Sequence, residues 1–131
     1  MSIVRPPRTG LGAFLKAVWF SETQPAAPRE HVLPTGDIHL TFRIKGPAVR
    51  LYRDPTDENG CSMGFASTGG PRTSFYVKET AMTSASVGAV LQPGAARTLF
   101  GVPASDLAGR HVTLADLWGA GAAAALQRFN P

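Results

Sequence analysis

The stretch from Asp37 to Ile44 constrains the fold most, because polar and apolar side chains alternate along its whole length. Ile38, Leu40, Phe42 and Ile44 fall on one face of an extended chain, since successive side chains of a strand point to opposite faces. The stretch therefore predicts a strand with one apolar and one polar face. A one-residue change of register exchanges the two faces, so the sequence leaves open which of them points inward.

Turn residues divide the surrounding chain into further short strands. The 131 residues include 14 Gly and 11 Pro, which many tight connections require. Additional strands are predicted at residues 49–52, 62–66, 74–78 and 84–91, and their spacing favours an antiparallel sandwich or barrel. The segment Leu11–Phe20 leaves two interpretations open, an amphipathic helix or one helical turn that leads into a strand at Val18–Phe20.

After Leu91 the periodicity changes and helix signals follow one another. Pro103 and Gly109 suit the beginning and the end of a short helix. Thr113, followed three residues later by Asp116, resembles a helix-capping pattern. We expect a single domain over residues 1–131, with a β-rich barrel over about 1–92 and a tail of three or four short helices over 93–131.

Composition narrows the class of protein. Hydrophobic residues make up 44% of the chain and charged residues 17%, which is typical of a globular domain and not of a disordered one. The net charge of +4 comes from basic residues that are spread along the sequence, whereas nucleic-acid binders concentrate theirs. The chain shows no secretion signal and no long apolar run, so a cytoplasmic protein without membrane contact is expected.

The residues form no recognisable catalytic constellation, so the sequence gives no indication of an enzyme. His31 and His39 lie eight positions apart and His111 is distant, a spacing that predicts neither a metal site nor a cofactor. The chain lacks a nucleophile elbow and a phosphate-binding loop. Cys61 is the only cysteine, and we expect a buried, inert thiol.

Four blocks of the sequence carry a family resemblance in order. "SIVRPPRTGLGAFLKAVWF" looks like the opening of the N-terminal sensor domain found in a group of AraC-type bacterial transcription regulators. "HVLPTGDIHLTFRI" is similar to their V-L-P-[DT]-G strand entry, and "GGPRTSF" to their G-P-x-T turn. "LQPGAARTLFGVPASDLAGRHVTLADLWG" resembles their P-G-[GA]-A, G-V-P-A-x-[ED]-L and V-x-L-x-[DE]-L-W-G segments. His39 departs from the pattern, because the family places an acidic residue there.

The resemblance implies a cupin-like β-barrel followed by short helices, which senses a small-molecule effector or forms a homodimer. In such regulators DNA is bound by a separate C-terminal domain of two helix-turn-helix motifs, and this chain ends at Pro131 without one. We expect either a fragment of a regulator or a free-standing relative. Two alternatives stay open, a small cupin-like enzyme and a structural pairing module.

A barrel of this kind would hold its ligand among aromatic and polar side chains. The candidate ligand-binding residues are Trp19, His39, Phe42, Arg72 and Phe75. Arg72 is the one that can pair with an anionic ligand, although an arginine in a turn is more often solvent-exposed.

Overall fold

The computed structural model describes residues 2–25 and 27–129, which contain ten strands and four helices. The strands are β1 (Ser2–Arg5), β2 (Leu15–Thr23), β3 (Arg29–Val32), β4 (His39–Lys45), β5 (Val49–Tyr52), β6 (Cys61–Gly64), β7 (Ala66–Gly69), β8 (Tyr76–Glu79), β9 (Ser84–Leu91) and β10 (His111–Thr113). The helices are α1 (Ala95–Phe100), α2 (Ala104–Leu107), α3 (Leu114–Trp118) and α4 (Ala120–Gln127).

The strands form two antiparallel sheets. The larger sheet has the order β1-β2-β9-β4-β7-β10, and the smaller has the order β3-β8-β5-β6. Every pairing between neighbouring strands of the described residues is antiparallel. The predicted fold class, an antiparallel β-structure followed by three or four short helices, is therefore confirmed.

The two shortest connections between the sheets follow β4 and β6. At Gly46 the backbone takes a φ of 94°, and a Cβ atom there would lie 2.5 Å from the carbonyl oxygen of Thr83, so only glycine fits. As a result β5 does not pair with β4, and the return strand expected from the sequence lies in the smaller sheet. The chain crosses back to the larger sheet between β6 and β7.

The main hydrophobic core lies on one face of the larger sheet. Phe42 on β4 and Leu91 on β9 pack there with Phe100, Leu107 and Leu114 of the C-terminal segment. Leu114 is completely buried. The apolar face of β4 therefore points toward the helices, and its polar face points into the space between the two sheets.

The C-terminal segment is not purely helical. Between α2 and α3 the chain returns to the larger sheet as β10, which pairs with β7 at its edge. Thr113, the last residue of β10, caps α3 by accepting a hydrogen bond from the backbone N–H of Asp116 at 3.3 Å, as the sequence pattern predicts. The side chain of Trp118 donates to the carbonyl of Leu99 at 2.7 Å and ties α3 to α1.

Of the two interpretations of Leu11–Phe20, the turn leading into a strand is confirmed. Hydrogen bonds from Phe14 and Leu15 back to the carbonyl of Leu11 close one turn, after which β2 begins. Strand pairing with β9 outweighs the helical spacing of the apolar residues. Among the helices of the described residues, none is long and apolar enough to cross a membrane.

Candidate ligand-binding cavity

A cavity of about 290 Å³ lies between the two sheets. The larger sheet supplies one wall through β2, β4, β7, β9 and β10, and the smaller sheet supplies the other through β3, β5 and β8. Most of the lining side chains are hydroxyl-bearing or charged. Facing sheets normally enclose an apolar core, so a polar space at this place is unusual and is the main candidate site.

Strand register arranges the cavity wall in rows. Gly69 on β7 is the pairing partner of His39 on β4 and also of His111 on β10. Directly paired residues point to the same face of a sheet, so both imidazoles enter the cavity from either side of a glycine. A Cβ atom at Gly69 would lie 2.6 Å from Nε2 of His111, and the missing side chain thus provides the space for that ring.

A second row contains Trp19. Gly88 on β9 pairs with Trp19 on β2 and with Thr41 on β4. A side chain at Gly88 would overlap the indole, so the ring of Trp19 lies over this glycine. Two strand glycines therefore let two aromatic rings lie close to the sheet, which gives the cavity its depth.

Arg72 lies at the end of the cavity next to the histidine row. Its Nη2 donates to Nδ1 of His111 at 2.7 Å, and its Cζ lies 4.5 Å from the centre of the Tyr76 ring. Because a guanidinium can only donate, Nδ1 of His111 is the acceptor and the proton of the neutral ring is on Nε2. The Nε atom of Arg72 is buried and has no hydrogen-bond partner among the described residues.

Burial controls the charge of this end of the cavity. Desolvation, assisted by the positive charge of Arg72 and by His39, lowers the pKa of His111 from 6.5 to about 4. Desolvation also lowers the pKa of His39, although the nearby carboxylate of Asp37 acts in the opposite direction. At neutral pH the guanidinium of Arg72 is therefore the positive charge beside two uncharged imidazoles.

Arg43 lies at the opposite end of the same face of β4. Its Nε donates to Oγ of Ser86 at 2.9 Å, and its Nη1 donates to the carbonyl of Pro47 at 3.0 Å. Four residues of a strand span about 13 Å, so Arg43 and His39 mark the two ends of the wall formed by β4. Burial lowers the pKa of the Arg43 guanidinium, and an arginine side chain keeps its positive charge at neutral pH.

The structure brings three of the five sequence-derived candidates together. Trp19, His39 and Arg72 line the cavity. Phe42 lies on the other face of β4, 6% exposed, in the core under the helices. Phe75 is 43% exposed, contacts the ring of His31 at 4.9 Å between centroids, and does not line the cavity.

Sequence reasoning missed His111 and Arg43 as site residues. His111 belongs to the segment expected to be helical, and only the return of the chain as β10 brings it beside Arg72. The alternating pattern already places Arg43 on the same polar face of the strand as His39, and this shared face could have identified it as a site residue. Cys61, expected to be buried, is exposed on β6 and does not line the cavity.

A second depression, of about 430 Å³, lies on the outer face of the larger sheet. Side chains of β1, β2, β4 and β9 line it, with Phe129 from the end of the chain at one side. We call it the apolar groove, because almost all of its lining side chains are hydrophobic. Phe129 is 46% exposed and lies 4.9 Å from the ring of Phe42.

Metal chemistry finds little support in the part of the chain that the structure describes. No group of three or more His, Cys, Asp or Glu side chains there could hold a metal ion. The two histidines of the cavity are accompanied by an arginine, which repels a cation and attracts an anion. The arrangement suits reversible binding of a polar molecule.

Residues 4–113 match a family model described as a domain of unknown function, DUF6597. The match includes both sheets except for the first residues of β1, and it ends at the last residue of β10. No curated protein matches the sequence.

Proposed function

Starting from the fact that the chain belongs to the DUF6597 family, we propose that it binds a small-molecule effector in the cavity between its sheets and passes the binding signal to its C-terminal helices. The observation that carries the proposal is the polar space between the sheets. A protein that needed only to be stable would fill this space with apolar side chains. Here the hydrophobic core lies on the other side of the larger sheet, and the inner space holds charged and hydroxyl groups instead.

A direct structural connection supports the signalling part of the proposal. His111 contacts the cavity through its ring and belongs to β10, which continues without a loop into α3. Arg72 reaches the same ring from the connection between β7 and β8. A ligand that displaces Arg72 or His111 therefore acts on the strand that positions α3. Such coupling requires the ligand to bind the two arrangements with different affinity.

The resemblance of the sequence to sensor domains of AraC-type regulators agrees with this role. In that setting the C-terminal helices are the exit toward a DNA-binding domain. Effector binding would then change how the two domains are oriented or paired. We propose this regulatory setting as the context of the cavity, with the effector as the input and the position of α3 and α4 as the output.

The experiment is a melting-temperature screen of small metabolites followed by hydrogen–deuterium exchange with the best ligand. At a ligand concentration of about 100 times Kd, binding stabilises the folded state by about 2.7 kcal/mol. For a domain of this size that corresponds to an increase in Tm on the order of 10 °C. We expect slower exchange in β4, β7 and β10, and also in residues 114–127 of the helices, which do not line the cavity.

Two results would contradict the proposal in different ways. If no compound raises Tm, the cavity is not a ligand site. If a ligand protects the strands while exchange in residues 114–127 stays unchanged, the chain binds without signalling through its helices.

The apolar groove favours pairing of two copies as a second candidate function. Phe129 and the exposed edge strand β1 border this groove, and a hydrophobic surface of this kind is typical of contact sites. Pairing would double the mass measured by light scattering at micromolar concentration. The variant Phe129→Asp should return the protein to a monomer, and a wild-type monomer would exclude this candidate.

A further inference from the structure

The charges that line the cavity do not balance. Its lining side chains include three cations and one carboxylate, namely Arg43, Arg72, Lys78 and Glu79. Glu79 is exposed, and its Oε1 accepts a hydrogen bond from the hydroxyl of Tyr52 at 3.3 Å. Within residues 2–25 and 27–129 neither arginine of the cavity forms an ion pair. A partly buried guanidinium without a counter-ion is a site at which an anion is strongly favoured.

Arg72 offers the better receptor of the two arginines. Arg43 has two of its donors bound, one to Ser86 and one to Pro47. Arg72 uses Nη2 for His111, stacks on Tyr76, and keeps a buried Nε–H that no described residue accepts. Buried N–H groups are almost always paired in proteins, so this donor indicates a partner that residues 2–25 and 27–129 do not supply.

We infer, on the basis of the proposed function, that the effector is a small organic carboxylate and that Arg72 binds its carboxylate group. A guanidinium binds a planar carboxylate through two parallel N–H···O hydrogen bonds, which gives both affinity and orientation. The neutral imidazoles of His39 and His111 lie beside this position and add hydrogen-bonding groups without adding charge. The positive charge of Arg72 matches a negative group on the ligand.

A phosphate group fits the same end less well. Phosphate carries more negative charge and is usually held by several donors, often at the N-terminus of a helix. The lining residues all belong to strands and their connections, and no described helix contributes to them. The remaining part of the ligand would lie over Trp19 and toward the hydroxyl groups of Ser21, Thr41 and Ser86, which suits a compact molecule with a ring or several hydroxyl groups.

The test compares matched probes by calorimetry and by melting temperature on the whole chain. The carboxylates are benzoate, acetate and gluconate at millimolar concentration, and the neutral partners are benzamide, acetamide and glucose. Inorganic phosphate is the competing anion. We expect at least one carboxylate to bind while its neutral partner binds about 10- to 100-fold more weakly, as the loss of a charged hydrogen-bond pair implies.

The outcomes separate this inference from the function on which it rests. Equal binding of a carboxylate and its neutral partner, or binding of phosphate alone, overturns the inference and leaves the cavity a ligand site. Absence of binding by all seven probes contradicts the carboxylate inference. If the metabolite screen is also negative, the proposed function fails as well. Since these comparisons use the wild-type chain, they do not depend on whether a variant folds.

Variants then assign the receptor residue. Arg72→Met should weaken carboxylate binding about 10- to 100-fold and reduce the preference for the carboxylate over the neutral partner. Arg50→Met removes an arginine that donates to the carbonyl of Asn59 outside the cavity, so it is the matched control and should bind normally. If Arg72→Met keeps both affinity and preference, the assignment to Arg72 is refuted.

Discussion

The contact between Gly70 and α2 permits a quantitative test of the fold. Gly70 is buried, and a Cβ atom added there would overlap the carbonyl group of Leu107, a residue that is itself 2% exposed. Two hydrogen bonds surround the contact, from Gly70 N to the carbonyl of Arg110 at 2.9 Å and from Gly109 N to the carbonyl of Pro71 at 2.8 Å. The variant Gly70→Ala must therefore move α2 away from β7 or distort both segments.

The expected cost follows from these contacts. Overpacking of a dense site costs about 1–3 kcal/mol, and a weakened backbone hydrogen bond costs about 1 kcal/mol. We expect Gly70→Ala to lower the free energy of unfolding by about 2–4 kcal/mol. Urea unfolding followed by circular dichroism measures the change, which should lower the midpoint by roughly 1–2 M.

A second glycine provides the matched control. Gly12 is exposed, its φ lies outside the positive region, and a Cβ atom there would meet no atom within 4 Å. Gly12→Ala should be neutral or stabilise the protein by up to about 1 kcal/mol, since it restricts only the unfolded chain. Equal midpoints for Gly70→Ala and Gly12→Ala would refute the described packing of α2 against the larger sheet.

Three further predictions test the C-terminal segment and the cavity. Thr113→Ala removes the cap of α3 and should cost about 1 kcal/mol in urea unfolding, whereas Thr113→Ser should retain most of the stability; equal losses would argue against the hydrogen bond to Asp116. Trp118→Phe leaves the carbonyl of Leu99 without its donor and should cost about 1–3 kcal/mol, while an unchanged midpoint would mean that this bond contributes nothing. The pKa of His111 is about 4 when folded and 6.5 when unfolded, so the unfolded chain binds more protons between these values. The contribution of the neutral His111 ring to the free energy of unfolding should be fully present above pH 6.5 and fall by on the order of 2–3 kcal/mol as the pH approaches 4. His111→Gln should reduce this pH dependence in urea titrations at pH 7 and 4.5. An unchanged pH dependence would mean that another group is responsible.

The alternating stretch illustrates how far the sequence could be interpreted. It predicted β4 and its two faces, and the strand at residues 84–91 corresponds to β9. Which face points inward depends on what covers the sheet, because the helices bury Phe42 and Leu40 on the side away from the second sheet. The alternation of residues along one strand does not show which of its two faces the helices will cover.

The cavity shows why a site is harder to predict than a strand. Arg72 and His111 are 39 residues apart, and their contact depends on pairing of a three-residue strand with β7. Such a short strand has no detectable periodicity, and its neighbours carry strong helix signals. Gly46 likewise directs β5 into the other sheet, although the same turn residues would suit a hairpin.

The pairing of β10 with β7 also has a consequence for solubility. β7 has β4 on one side and β10 on the other, so β10 covers the edge of β7 that faces away from β4. Any state in which β10 leaves the sheet would expose the edge of β7, and a strand of another molecule could then pair with it. Movement of the C-terminal segment must therefore stop short of releasing β10, and a chain cut before His111 should aggregate in light scattering rather than remain dispersed.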